Sequence, residues 1–381
     1  MSGKPGSPRV LHILGTLAAG DPQAERCARI IDAFGARLRH SLVSADGRWG
    51  ALEGVARGVP VERLERFHAL SGLPLPGRLQ KVAQSMVDYH LVLTYGWGAV
   101  DAALAHTLFS QMHGLPPLIH HEDGSDETPR QRARIASTWY RRIGLGKTAG
   151  LVVPTELMEG EALVRWQQPL GRVKLIRDGA HVQDRRPGAK KNAIPRLLKR
   201  PGERWIGCIA RMDGSEPVEL LLKALEDVEP HWHLVVSGAG PGAATLATQA
   251  ARRGLDARLH IVSELADPGV LIRLSDLVVV TGPAEPLPQA ALAAMGAGKA
   301  VAGFETGELA VSLTPENAVL IARAGDESAL RAAMHTLTMD DILRERIGAG
   351  NRARAVAERD PAAMIAAYRR LYASAMRRDT I

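Results

Sequence analysis

Short apolar runs alternate along the chain with longer stretches in which apolar residues recur at helical spacing. A run such as 277–280 is long enough only for a buried strand, whereas 341–358 has the length and spacing of a helix. Strands that alternate with helices are typical of a parallel sheet. The pattern predicts strands at 9–14, 40–43, 59–64, 91–94, 117–121, 151–154, 173–176, 205–209, 232–237, 259–262, 277–280 and 300–303. It predicts helices at about 23–34, 99–112, 128–147, 155–166, 244–253, 270–274, 288–295, 326–337, 341–358 and 361–376.

The length of the chain indicates two domains. At 381 residues it exceeds one typical domain and is sufficient for two. The segment 184–204 is rich in Pro, Arg and Lys, which is typical of a linker. We therefore expect a first domain at 1–183, a second domain at 205–360 and a terminal helix at 361–381.

The charge balance suggests an anionic partner. The chain has 48 Lys+Arg against 41 Asp+Glu and a pI near 9.6. Such an excess suits nucleic acid, acidic lipid or a phosphorylated substrate. No nucleic-acid-binding motif accompanies it, so we expect no nucleic-acid partner.

Cysteine usage and the apolar runs favour a cytoplasmic protein. Cys27 and Cys208 lie far apart and form no CxxC pair, so neither a zinc motif nor a disulfide framework is predicted. The apolar run 10–14 is too short for the core of a signal peptide. No run of about 18 apolar residues is present to cross a membrane.

The stretch 277–313 contains the strongest candidate for a binding site. Its order is strand, loop, helix, strand, loop, and ligands of such sheets lie outside the carboxyl ends of the strands, against helix N-termini. Glu285 and the amides of residues 286–289 are therefore expected where a polar or phosphorylated ligand binds. A His-Glu-Asp cluster follows the strand 117–121, but adjacent histidines on a strand point to opposite faces, so we expect no metal site.

Two segments carry a resemblance to a known family. Glu-Pro-Leu-Pro at 285–288, followed by Ala-Leu-Ala-Ala-Met-Gly-Ala-Gly, resembles the donor-binding signature of family-4 glycosyltransferases of the GT-B fold. The first glutamate of that signature is Glu285, and the second falls on Ala293. The segment 210–217 is similar to the family loop whose arginine and lysine hold the donor diphosphate. Here Arg211 matches the arginine, and Glu216 stands in place of the lysine.

The resemblance extends over nearly the whole chain and implies an α/β fold of the GT-B type. That fold has two Rossmann-like domains with parallel sheets facing across a cleft, and a C-terminal helix that crosses back to the first domain. The implied reaction is a retaining, metal-independent transfer of a sugar from a UDP- or GDP-linked donor to a glycan or lipid-linked acceptor. No cofactor is implied, and the pathway would be cell-surface polysaccharide or glycolipid synthesis.

The resemblance also implies site residues. The candidate catalytic residues are Arg211, Glu285 and Asp123, the last of which occupies the position of a family histidine. The candidate donor-binding residues are Gly20, Arg211, Gly238, Gly240, Glu264, Glu285, Leu287, Pro288 and Gln289. The candidate acceptor-side residues are His121, Glu122 and Gly124.

Two alternatives remain open. Because the family histidine, lysine and second glutamate appear as Asp123, Glu216 and Ala293, the chain could be a catalytically impaired GT-B protein that acts as a partner or scaffold. The basic stretch 128–147, with its Trp-Tyr pair, could lie on an anionic membrane, which would place the protein at the inner face of that membrane. The other interpretation of this stretch is a solvated helix face with its aromatic side chains turned inward.

Overall fold

The structure is a computed structural model that forms two compact units. It describes residues 6–381 except 69, 71, 125–133, 181–192, 211, 213, 215, 216, 263, 264, 266 and 283–286. The first unit comprises Met1–Asp178 together with Ala362–Ile381, and the second comprises Gly179–Pro361. The first nine of the 21 residues of the predicted linker, residues 184–192, lie outside the described residues.

The first unit is built on a parallel sheet of seven strands in the order β3-β2-β1-β4-β5-β6-β7. Chain order reverses between β1 and β4, which is the switch point at which ligands of such sheets bind. The central strands of this sheet are buried along nearly their whole length, which is typical of a parallel sheet covered on both faces. Their bounds are β1 Arg9–Leu14, β2 Arg39–Ser44, β3 Val61–Arg63, β4 Leu91–Tyr95, β5 Leu118–His121, β6 Gly150–Val153 and β7 Val173–Leu175.

Within the described residues, five helices of the first unit precede the second unit in sequence: α1 Pro22–Phe34, α2 Pro76–Gln84, α3 Val100–His113, α4 Ile135–Gly144 and α5 Glu156–Gly160. A π-helical turn, Glu161–Arg165, continues α5. The basic helix predicted at 128–147 is shorter in the structure, since α4 covers only its second half and residues 128–133 lie outside the described part. Helix α2 was not predicted.

The second unit has a parallel sheet of six strands in the order β10-β9-β8-β11-β12-β13, with its switch point between β8 and β11. The strands are β8 Arg204–Ile209, β9 Trp232–Ser237, β10 Leu259–Val262, β11 Leu277–Val280, β12 Val301–Phe304 and β13 Ile321–Ala322. The helices are α6 Leu220–Glu226, α7 Gly242–Arg252, α8 Gly269–Leu274, α9 Gln289–Gly296, α10 Leu309–Ser312, α11 Pro315–Ala318, α12 Glu327–Met339 and α13 Asp341–Glu358.

The final helix, α14 Pro361–Ala375, packs on the first unit, as predicted. Its Tyr372 is fully buried, donates to or accepts from His121 Nε2 at 2.8 Å, and stacks on Phe34 of α1 with ring centroids 5.5 Å apart. The core of the first unit is therefore completed by the last residues of the chain. None of the described helices is both long and apolar enough to cross a membrane.

Candidate functional site

The switch point of the first sheet is formed by two glycines in close contact. Gly15 follows β1 and Gly98 follows β4, and a Cβ on Gly98 would lie 2.7 Å from the Cα of Gly15. No residue with a side chain fits there without moving one of the two loops. The loop after β1 and the N-terminus of α1 are thereby held at the carboxyl edge of the sheet.

The loop after β1 satisfies its own backbone amides. The amide of Gly20, a predicted donor-binding residue, donates to Glu25 Oε1 at 3.2 Å, and Gly20 has a φ of 78°, which favours glycine. Asp21 is the N-cap of α1 and accepts from the amide of Ala24 at 2.9 Å, and Pro22 occupies the first helical position. The Asp21-Pro22 pair is therefore the start of helix α1.

Asp123, predicted as catalytic, lies two residues beyond β5 and is held on both carboxylate oxygens. Gln23 Nε2 donates to Oδ1 at 2.5 Å, and Arg26 Nη1 donates to Oδ2 at 2.9 Å. The side chain is only 4% exposed. Asp21 lies nearby: burial raises the pKa of Asp21 to about 6, and the Asp123 charge adds to this rise although the Ala24 amide opposes it.

Arg26 joins Asp123 to a second buried carboxylate, Asp178, the last residue of the first unit before Gly179. Arg26 Nε and Nη2 donate to the two oxygens of Asp178 at 2.9 and 2.6 Å, a bidentate pairing. Burial alone would lower the pKa of Arg26, but Asp178 and then Asp123 raise it well above its usual value. One guanidinium thus holds two carboxylates that would otherwise repel each other in a site sheltered from water.

Sequence reasoning missed this arrangement. Neither Arg26 nor Asp178 is among the predicted site residues, because the two are 152 positions apart and no local pattern links them. The available signal was that both positions follow strands of one parallel sheet, whose carboxyl ends meet at the same edge.

The predicted acceptor-side residues lie beside Asp123 but are fully engaged in the interior. His121 Nε2 contacts the Tyr372 hydroxyl, and Nδ1 lies 3.2 Å from the Thr94 carbonyl oxygen. Burial lowers the pKa of His121 to about 3, against the opposing effect of the Thr94 hydrogen bond, so its imidazole is neutral. The assignment of His121 to the acceptor stays a prediction.

Glu122 and Gly124 form one local unit. Glu122 is fully buried and accepts from Arg141 Nε and Nη2 at 3.1 and 2.9 Å, while its other oxygen accepts from the amide of Gly124 at 3.0 Å. Burial acts to raise the pKa of Glu122, but the Arg141 charge and the contacts of His120 outweigh it and lower that pKa. Gly124 has a φ of 71°, which lets the chain turn sharply after Asp123.

The predicted glycines of the second unit allow two backbone segments of that unit to pack in direct contact. A Cβ on Gly238 would lie 2.0 Å from the carbonyl oxygen of Ala210, and one on Gly240, with φ 146°, would lie 2.3 Å from that of Met212. The turn after β9 is therefore packed directly against the segment that follows β8. The two carbonyl groups in this close approach belong to Ala210 and Met212, the sequence neighbours of the predicted diphosphate-binding arginine.

The remaining donor-site predictions are only partly described. Arg211, Glu264 and Glu285 lie outside the described residues. Leu287 is 7% exposed and packs in the apolar core that includes Ala291 and Leu292. Pro288 precedes α9 as its N-cap, and Gln289 is the first helical residue. These residues fix where α9 begins at the carboxyl edge of the second sheet.

No metal centre emerges from the polar residues of the site. Within the described part of the chain, no three His, Cys, Asp or Glu side chains are grouped so that they could hold an ion. The adjacent pair His120 and His121 shows why: His120 Nδ1 lies 2.8 Å from the Thr94 hydroxyl, whereas His121 points to Tyr372.

Known proteins share this architecture. HepE from Anabaena, in complex with UDP and glucose, matches with a TM-score of 0.74 at 17% identity, over 96% of this chain and 100% of that chain. Sucrose-phosphate synthase from Thermosynechococcus elongatus matches with a TM-score of 0.73 at 18% identity and the same coverage. A glycosyltransferase from Rickettsia africae matches with a TM-score of 0.71 at 13% identity, over 98% and 99% of the two chains. The fold is the GT-B fold.

The sequence match is confined to one half of this GT-B chain. Residues 189–354 match the family model described as "Glycosyl transferases group 1", and they lie wholly within the second unit. No curated protein sequence matches the chain significantly. The predicted GT-B fold is confirmed, while membership of family 4 stays a prediction.

Proposed function

We propose that the chain is a glycosyltransferase that moves a sugar from a nucleotide-sugar donor to a glycan or lipid-linked acceptor. The match of residues 189–354 to the group 1 glycosyl transferases carries this proposal. It is supported by the GT-B fold shared with HepE, whose structures contain UDP or UDP-glucose. The proposal has three further parts. The configuration of the transferred sugar is retained, the donor carries a hexose, and the enzyme acts in cell-surface polysaccharide or glycolipid synthesis.

The donor nucleotide binds at the carboxyl edge of the second sheet in this proposal. The departing diphosphate accumulates negative charge, which a cation and helix N-terminal amides stabilise without a metal ion. Arg211 supplies the cation, the start of α9 at Gln289 supplies the amides, and Glu285 accepts a hydrogen bond from a donor hydroxyl. In this proposal the turn at 238–240 also lies close to the phosphates. Its glycines let the turn pack against the segment after β8, and that segment contains the position of Arg211.

Asp123 is the acceptor-side group of this proposal. A carboxylate fixed by two donors holds its direction when the acceptor binds, which positions the attacking hydroxyl. In this role Asp123 orients the acceptor, and Arg26 orients Asp123.

Calorimetric titration with UDP, GDP and their sugars tests the proposal. One nucleotide is expected to bind saturably, and Arg211→Ala is expected to weaken that binding about tenfold or more, because an arginine–phosphate contact is charge-assisted. Arg252→Ala, which removes an exposed arginine of α7, is the matched control and should bind as the parent does. A folded protein that binds none of these nucleotides would contradict a transferase.

The second candidate is a GT-B protein with impaired catalysis that serves as a partner or scaffold. Its support is Ala293, which lies partly buried on α9 against the apolar core, where the family signature has its second glutamate. Introducing Glu216→Lys and Ala293→Glu together separates the two candidates. If the double variant transfers sugar and the parent does not, the parent has impaired catalysis. If the parent transfers sugar and the double variant does not, the impaired-catalysis candidate is ruled out.

We place the protein in the cytoplasm in this proposal. Both cysteines, Cys27 and Cys208, are free and buried, which suits a reducing compartment. Location at the inner face of the membrane, where lipid-linked acceptors are made, is part of the same proposal.

A further inference from the structure

Helix α4 turns its apolar side chains away from the core. Ile135, Trp139 and Ile143 are spaced by four residues and form one stripe, with exposures of 77%, 52% and 53%. The opposite side of the helix is the buried one and contains Ser137, Arg141 and Gly144. A surface helix ordinarily has the reverse arrangement, with its apolar stripe on the core. The two aromatic residues of α4 lie on different sides of the helix. The Tyr140 hydroxyl donates to Asp101 of α3, whereas the Trp139 side chain is exposed to solvent.

The neighbouring helix α3 extends this apolar surface. Leu108 and Met112 lie one turn apart on α3 and are 52% and 70% exposed. The Thr107 hydroxyl donates to the carbonyl oxygen of Gly144 at 2.7 Å, which holds the end of α4 against α3. Leu108 and Ile143 flank this hydrogen bond in sequence. We call the five exposed side chains, Ile135, Trp139, Ile143, Leu108 and Met112, the outward patch.

Three cations border the outward patch among the residues that the structure describes. Arg134 precedes α4, Arg142 lies in it with its guanidinium 4.8 Å from the Trp139 ring centroid, and Lys147 follows it. Within the described part of the chain, no carboxylate pairs with any of these three. The sequence contains no Asp or Glu from 102 to 117 or from 129 to 155. Exposed apolar groups surrounded by one sign of charge indicate a specific partner.

We propose that the outward patch docks on an anionic lipid membrane surface. Long cationic side chains lay their stems on apolar surface and extend their heads toward lipid phosphates, and tryptophan is suited to the same interface. A second copy of this chain is a poorer partner, because a two-fold interface brings identical patches together and places cation opposite cation. Membrane docking goes beyond sugar transfer and does not depend on it.

Co-sedimentation of the full chain with lipid vesicles tests this proposal without an activity assay. Binding is expected to vesicles of phosphatidylcholine with phosphatidylglycerol and to be much weaker to phosphatidylcholine alone. The triple variant Arg134→Gln, Arg142→Gln, Lys147→Gln should weaken binding by about fivefold for each cation removed, and added salt should reduce the difference. Trp139→Ser should weaken it by about tenfold through lost apolar contact.

Matched variants test whether vesicle binding depends on the outward patch itself or only on the net charge and exposed apolar surface of the whole chain. The variant Arg37→Gln, Arg57→Gln, Arg252→Gln removes three exposed cations elsewhere and should bind vesicles as the parent does. Val319→Ser, at a valine 81% exposed in the second unit, should also have no effect. Equal loss from the two triple variants, or no binding by the parent, would overturn the proposal. So would a parent dimer, seen by light scattering, that Trp139→Ser dissociates while vesicle binding is unchanged.

Discussion

Replacing Arg26 by methionine should destabilise the first unit severely. The change keeps most of the apolar stem but removes three charge-assisted contacts and leaves the Asp123 and Asp178 carboxylates buried together, each about 95% inaccessible. Breaking a buried ion pair by removing one partner costs about 3–5 kcal/mol. Two buried carboxylates lose a charge-assisted contact at once, so we expect the upper end of that range. Such a loss is a large share of a domain's total stability of about 5–15 kcal/mol.

Hydrogen exchange measures this loss with an internal reference. Amides of β1 and β5 report on the first unit, and amides of β8 and β11 in the same molecules report on the second, which contains neither Arg26 nor its partners. Arg26→Met should lower the protection of the first set and leave the second set unchanged. Adding Asp123→Asn and Asp178→Asn should recover part of the loss, because the uncompensated charges are gone.

A surface pair provides the control for the Arg26 variant. Arg331 pairs with Asp227 at 2.7 Å, but both side chains are more than one third exposed, so Arg331→Gln should cost less than about 1 kcal/mol. The reasoning is refuted if Arg26→Met costs no more than Arg331→Gln. It is also refuted if the two added asparagines deepen the loss, since repulsion between the carboxylates would then not be its source.

Three further outcomes are expected. Burial lowers the pKa of three histidines of the first unit, to about 4 and about 3 for two of them, so their side chains stay neutral in the folded state. These residues are His12, His40 and His121. The stability that they contribute is lost as pH falls below 6.5, by about 1 kcal/mol each between pH 6.5 and 5.5 in urea titrations. Asp21, whose pKa burial raises to about 6, acts in the opposite direction and offsets part of this loss. Gly238→Ala should cost about 2 kcal/mol and weaken nucleotide binding, because its Cβ meets a backbone oxygen, whereas Gly171→Ala, with open space around it, should be neutral in both measurements. Tyr372→Phe should lower the free energy of unfolding by about 1–3 kcal/mol, because it leaves Nε2 of His121 without its hydrogen-bond partner. A variant that unfolds at the same temperature as the parent would contradict this.

The sequence predicted elements best where local pattern alone decides them. The strands 232–237 and 277–280 and the helix 341–358 have the predicted bounds. An apolar run bounded by Gly, Pro or Asp contains its own start and stop signals. The helix predicted at 128–147 is not continuous, because Arg134 has an extended conformation and α4 runs only from Ile135 to Gly144. A run of arginines has helical propensity but no apolar spacing that marks where a helix begins.

The candidate site depended on pairings that no local pattern encodes. The Arg26–Asp178 contact spans 152 positions, and the His121–Tyr372 contact spans 251. The alternation of strands and helices predicted a parallel sheet, whose strand-end loops meet at one edge. It could not tell that Asp123 is held by two side chains of α1, since only the packed helix brings them together.

The return of α14 to the first unit sets an order for biosynthesis. Domains usually fold in turn from the N-terminus as they leave the ribosome, at about 5–20 residues per second. Here the 183 residues Gly179–Pro361 must be made before α14 emerges, which takes about 10–40 s at those rates. During that interval His121 has no Tyr372 to contact and the side of Phe34 that α14 covers is bare. The nascent first unit is then a client for chaperones, and the second unit is the first part of the chain able to fold completely.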